Sequence, residues 1–235
     1  MAAEPNAAVE NRRVALIAGG SGLVGSLLID VLLDAPDYAR VYALSRRPLQ
    51  REHARLANRI VNFERLATDL KGFSCQDAFC CLGTTMQAAG SEAAFRRVDF
   101  DTVLAFARAA RAAQAQRFIV VSSVGADPES KNFYLRVKGE TERALESIGF
   151  TSLDIMQPGL LLGSRVEQRP LELAARLAMP LVNPFLRGPR EVYRGIAART
   201  VAEAMLGAAR SARRGVYRYP YPGLIALAQR RPASR

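Results

Sequence analysis

The stretch that decides the fold is VALIAGGSGLVGSLLIDVLLDA, residues 14–35. Val14 to Ala18 form an apolar run that enters a set of glycines, the pattern of a parallel strand buried on both faces. LLIDVLLDA, after the glycines, predicts a helix. Between the two, Gly19, Gly22 and Gly25 stand at GxxGxxG spacing. In a strand–turn–helix setting the first glycine permits a tight turn. The second lets the backbone approach a pyrophosphate, and the third lets helix and strand pack closely. The helix N-terminus favours the anion. The whole turn, Gly19, Gly20, Ser21, Gly22, Leu23, Val24 and Gly25, is therefore read as a dinucleotide-binding loop.

Outward from this stretch the chain alternates strand and helix. VYAL (41–44), RIVNF (59–63), DAFCCL (77–82), RFIVVSS (117–123) and SLDIMQ (152–157) predict five further strands. Ser91 is placed to N-cap a long helix through FRRVDFDTVLAFARAARAA. A second long helix is predicted through YLRVKGETERALES, with Gly149 as its stop. ELAARLA (172–178) and RTVAEAMLGAAR (199–210) also read as helices. Apolar strands alternating with helices imply an α/β fold with a doubly wound parallel sheet, a Rossmann fold, covered on both faces. One domain spanning 1–235 is expected, with about 160–235 forming a small C-terminal cap on the substrate side. Ligands of such a sheet bind at the carboxyl ends of its strands.

Composition narrows the class. The chain has 235 residues, of which 49% are apolar and 23% charged. That excludes a disordered chain, a collagen-like repeat and a disulfide-rich secreted module. The net charge is +11, carried by thirty arginines and three lysines, Lys71, Lys131 and Lys138. The arginines are scattered in pairs without aromatic interleaving, so no specific nucleic-acid partner is expected. The N-terminus carries Glu4 and Glu10 where a secretory signal needs a cationic start and an apolar run. No apolar run is long enough for a transmembrane helix. Cys75, Cys80 and Cys81 suggest no disulfide framework, which fits a reducing cytoplasm. With His53 as the sole histidine, set in the polar run REHAR (51–55), neither a metal site nor a histidine-dependent triad is expected.

Three further positions carry chemistry. An NAD-selective site places a carboxylate at the end of the second strand, on the ribose 2′-hydroxyl. Here that place reads Ser45-Arg46-Arg47. Guanidinium groups pair with phosphate, so a 2′-phosphate and hence NADP(H) over NAD(H) is expected. Tyr134 and Lys138 stand four apart, on one face of a helix. A nearby ammonium favours the phenolate and brings tyrosine towards useful proton transfer. Lys138 can also hold the nicotinamide ribose. Ser122 and Ser123 close the fifth strand. Ser123 is the first choice for polarising a substrate carbonyl, and Ser122 is expected to bond backbone.

Together these residues resemble the atypical branch of the short-chain dehydrogenase/reductase superfamily. The matching pieces include AGGSGLVG, LSRRPL, VNFERL, FCCLGTT, FRRVDFDTVL, VVSSVGAD, YLRVKGETE and QPGLLLGSRVEQRPLE, from about residue 14 to 172. The resemblance implies coenzyme contacts at the glycine loop, Ser45, Arg46 and Arg47, and at Asn62 and Phe63 by the adenine. It also implies contacts at Leu82, Gly83, Thr84, Ser122, Pro158, Gly159 and Leu161, and a catalytic set of Ser123, Tyr134 and Lys138. Two positions depart from the pattern: Asn62 replaces a frequent Asp, and Asp99 stands where other members place an active-site Asn. The implied activity is hydride transfer between NADP(H) and a small carbonyl or alcohol substrate. The rival is a coenzyme-sensing regulatory protein that contacts a protein partner. The intact Tyr134–Lys138 pair favours the enzyme, and Asp99 favours the sensor.

Overall fold

The computed structural model describes residues 12–163 and 188–230. Its main sheet has seven parallel strands: β1 (Arg13–Ala18), β2 (Tyr38–Ser45), β3 (Leu56–Ile60), β4 (Asp77–Cys80), β5 (Arg117–Val121), β6 (Ser152–Met156) and β9 (Gly215–Tyr219). A two-residue pair, β7 (Leu161–Leu162) with β8 (Ile196–Ala197), stands apart. The main order is β3-β2-β1-β4-β5-β6-β9. The chain winds outward one way from β1 and the other way from β4, so the order reverses between these two strands. This is the doubly wound parallel sheet expected from the sequence.

Period-two alternation sorts the core. Ala15 and Ile17 of β1, with Phe79 and Ile119, face α1 (Leu23–Asp34), α7 (Ala198–Ala209) and α8 (Tyr221–Ala228). Leu16 and Ala18, with Ala78, Cys80, Phe118 and Val120, face α5 (Val103–Ala112) and α6 (Phe133–Glu146). Every residue of β4 and β6 is buried, as central parallel strands require.

Several expectations need correction. The third strand is Leu56–Ile60, not 59–63. Asn62 instead caps a 3-10 turn, its side chain accepting from the Glu64 N–H, and that turn leads into α2 (Leu66–Asp69). After a short α3 (Met86–Ala89), Ser91 does N-cap a helix. That helix is not uniform: α4 (Glu92–Arg96) passes into a π-helical segment, Arg97–Thr102, before α5. Within the segment expected to form the cap, β9 joins the main sheet, and α7 and α8 pack against it. ELAARLA (172–178) and the end of QPGLLLGSRVEQRPLE lie outside the described residues.

The amino end of the sheet is held by a buried carboxylate. Asp77 has no exposed surface, and it receives Arg13 at 2.6 Å, the Tyr38 hydroxyl at 2.7 Å and Arg117 at 3.2 Å. Burial raises the Asp77 carboxyl above its ordinary range, and Arg13, Tyr38 and Arg117 offset only part of this. Asp77→Ala would remove the buried acceptor of the Tyr38 hydroxyl and the ion-pair partner of Arg117 at the sheet floor, while Arg13 keeps Asp37 and the Ala209 carbonyl. Because both arginines retain some exposure, the expected loss is about 2–4 kcal/mol, read as a lower midpoint in thermal or urea unfolding.

Candidate active site

At the β1/β4 reversal a cleft of about 720 Å³ opens along the carboxyl ends of the strands. Gly19, Ser21 and Gly22 form one wall. Gly19 has φ +86°, and a side chain there would lie 2.5 Å from the Cys81 carbonyl. A Cβ on Gly25 would lie 2.1 Å from the Gly19 oxygen, so the start of α1 rests directly on the loop backbone. Gly22 N-caps α1 without a side-chain hydrogen bond. The first-turn N–H groups of α1 therefore lack a side-chain acceptor and suit a phosphate. Val24 is buried in the core, and the Leu23 side chain lies against Gly163, leaving these two residues their backbone as the means of meeting a ligand. Gly20 is buried against Ile29.

Across the cleft, Ser45, Arg46, Asn62 and Phe63 line the far wall. Ser45 is fixed by donating to the Arg47 carbonyl at 2.7 Å and accepting from Asn58 Nδ2 at 2.7 Å. Arg46 and Arg47 are both exposed, but only Arg46 borders the cleft. The cleft is bounded at its inner end by Cys81, Leu82 and Gly83. These residues have the form of a dinucleotide site: a glycine cradle that side chains would fill, beside a helix start without a side-chain cap.

Lys138 and Asp99 begin where Gly83 ends. A Cβ on Gly83 would lie 3.3 Å from Asp99 Oδ1 and 3.7 Å from Lys138 Nζ. Lys138 Nζ and Asp99 Oδ1 form an ion pair at 2.7 Å, with side-chain exposures of 9% and 0%. Asp99 Oδ2 accepts the Thr84 N–H at 2.8 Å. Burial on its own disfavours the charged form of Lys138. The Asp99 carboxylate, then Tyr134, outweigh it and hold the Lys138 ammonium above its ordinary range. Tyr134 stands one turn before Lys138 on α6, its ring centroid 6.0 Å from Nζ. Phe95 backs the Tyr134 ring at 5.4 Å between centroids.

Ser123 donates to the Val124 carbonyl at 3.3 Å. Ser122, expected to bond backbone, instead donates to buried Glu142 at 2.5 Å. Glu142 also accepts from Gln157 Nε2 at 3.0 Å and Arg218 Nε at 2.9 Å, which joins α6 to the ends of β5 and β6 and to β9. The Pro158 carbonyl accepts the Val124 N–H at 3.0 Å, so the Ser123 loop and the Pro158 turn are tied together. Gly159 packs against the backbone of Tyr193 and Arg194, and Leu161 pairs with Ile196.

Some lining residues were missed from sequence. Arg97, Asp101 and Ala105 border the cleft at four-residue intervals on the π segment and α5. That spacing marks one helical face and was available to find. Glu142 also continues the Tyr134–Lys138 face by four residues, but its partners come from three distant strands. The cysteines carry no nucleophilic reading: burial pushes the Cys75 and Cys80 thiols up to about 12 and raises the Cys81 thiol well above its ordinary range.

Sheet order, glycine turn and cleft define a doubly wound dinucleotide-binding protein. More narrowly, residues 19–167 match the family model described as NAD(P)H-binding, and the chain belongs to that family. The resemblance to the atypical short-chain dehydrogenase/reductases of the Tat-interacting-protein 2 type holds as well. The chain is 40% identical over 172 residues to protein HTATIP2 of Rattus norvegicus, covering 72% of this chain and 70% of that protein. It is 36% identical to the mitochondrial protein FMP52 of Coccidioides immitis over 169 residues, 66% of this chain and 69% of the relative. Among solved structures, MoeE5 in complex with UDP-glucose and NAD superposes with a TM-score of 0.66 at 18% identity, over 87% of this chain and 74% of that one. A UDP-glucose 4-epimerase from Thermotoga maritima gives 0.67 at 16% identity, over 92% and 81%. At these identities the structures speak for the fold alone. Among the described residues no helix is long and apolar enough to cross a membrane.

Proposed function

We propose that this chain is an NADP(H)-dependent oxidoreductase acting on a small carbonyl or alcohol. The observation that carries the reading is the run from Gly83, which borders the coenzyme cleft, to the Lys138 ammonium and then to Tyr134 on the same face of α6. The glycine loop and the start of α1 hold the pyrophosphate. Ser45 and Arg46 hold the phosphorylated ribose, with Arg47 beside them. Asn62 and Phe63 flank the adenine. Leu82, Gly83 and Thr84, with Ser122, Pro158, Gly159 and Leu161, border the nicotinamide end. The nicotinamide, when bound, supplies or accepts the hydride. Lys138 holds the ribose, Ser123 donates to the substrate oxygen, and the Tyr134 Oη gives or takes the proton there.

The test is consumption of NADPH across a panel of aldehydes and ketones. Turnover supports the enzyme. Tight coenzyme binding with no turnover of any compound overturns it in favour of the sensor that contacts a protein partner. One observation favours that rival: Asp99 occupies the Lys138 ammonium. The NADP(H) preference has a separate test. Arg46→Ala is expected to weaken NADPH binding about tenfold or more and to leave NADH within about twofold. Equal losses for both would assign Arg46 to general charge. A cytoplasmic location is the proposed compartment, supported by three free cysteines. The fungal relative is named as mitochondrial, so cell fractionation decides it.

A further inference from the structure

We infer that Asp99 sets the relative affinity of this site for oxidised and reduced coenzyme, by cancelling the charge of Lys138 beside the nicotinamide end. The inference rests on the coenzyme reading above. It concerns a residue that the sequence marks only as a departure from an active-site Asn.

Asp99 is 1% exposed and sits in the π-helical segment Arg97–Thr102. Such segments are rare and recur at functional sites. Its backbone carbonyl accepts the Thr141 hydroxyl at 3.0 Å, which fastens the segment to α6. One carboxylate oxygen meets Lys138 at 2.7 Å, and the other accepts the Thr84 N–H at 2.8 Å. The carboxylate is thus gripped from α6, from the loop after β4 and through its own backbone. On its own segment the other charges, Arg97 and Asp101, border the coenzyme cleft.

The two coenzyme forms differ by one positive charge on the nicotinamide ring. A fixed charge nearby, shielded from water, therefore discriminates between them. With Asp99 ionised, the Lys138–Asp99 pair is neutral and accommodates the cationic ring. Lys138 alone would repel it. An asparagine keeps the size of the side chain and an acceptor for the Thr84 N–H while removing the charge.

The experiment measures binding of NADP⁺ and NADPH, and of NAD⁺ and NADH as a second pair, by calorimetry near neutral pH, where Lys138 keeps its charge most readily. It compares wild type, Asp99→Asn, Lys138→Met and the double variant. Loss of ribose contacts by Lys138 weakens both forms and cancels in the ratio. Asp99→Asn should shift the oxidised-to-reduced affinity ratio towards the reduced form by about fivefold or more. Lys138→Met should shift it towards the oxidised form, and the double variant should return to within about twofold of wild type. A ratio that stays within twofold of wild type in Asp99→Asn overturns the inference, as does a double variant that keeps either shift. Should Asp99→Asn fail to fold, judged by its melting curve, the other two variants decide on the same terms. Wild-type protein that binds none of the four coenzymes overturns the coenzyme reading itself, and this inference with it.

Discussion

Gly25→Ala is expected to abolish coenzyme binding and to lower stability by about 2–4 kcal/mol. The added methyl would lie 2.1 Å from the Gly19 oxygen, 2.8 Å from the Gly19 carbonyl carbon and 3.1 Å from Gly20 Cα. All three atoms are backbone, and Gly19 is itself held against Cys81, so no rotamer change relieves the clash. Either α1 lifts from the sheet or the loop moves into the cleft. Gly22→Ala is the informative comparison. Its methyl would approach the Gly19 oxygen only to 3.3 Å, so the fold should keep nearly all its stability while the phosphate meets an unwanted side chain. Thermal melts and calorimetry with NADPH separate the two outcomes. A Gly25→Ala protein that binds NADPH as wild type does would remove the cradle from the account.

Tyr134→Phe is expected to lower turnover by about 10²–10⁴-fold with coenzyme affinity within about twofold of wild type. The phenylalanine keeps the ring contact with Phe95 and the neighbourhood of Lys138, so only the hydroxyl is removed. Single-turnover measurements with any active carbonyl compound test this. A variant that retains more than about a tenth of the wild-type rate would give the proton-transfer role to another group.

The parts of the fold legible in sequence were those fixed by local rules. Val14–Ala18 and the glycines specify strand and turn through their own backbone requirements, and four further strands were located from apolar runs, with a fifth misplaced. RIVNF misled because its apolar run continues past the strand end at Ile60: Val61 is buried in the core and Phe63 packs against that core from the 3-10 turn capped by Asn62. Gly215–Tyr219 gave no strand signal because it is an edge strand with exposed Gly215, Val216 and Arg218. The π-helical segment also left no trace in the periodicity, since one added residue barely disturbs a helical pattern.

The site divides along the same line. The Tyr134–Lys138 spacing is local and was readable. The Asp99–Lys138 ion pair and the Ser122–Glu142–Arg218 link join residues far apart in the chain. A single sequence holds no trace of such pairings, so Asp99 read as a departure from a pattern when it is a partner of Lys138.

The position of Gly215–Tyr219 in the sheet has a bearing on how the protein is made. Ser152–Met156 is wholly buried in the finished molecule, yet its outer edge pairs with a segment synthesised much later. While the ribosome is still translating the intervening residues, that edge offers unsatisfied backbone groups to any neighbouring nascent chain. Fragments ending ahead of Gly215 retain this hazard permanently. Intermolecular strand exchange, rather than loss of the nucleotide cradle, is then the failure that a shortened expression product has to escape.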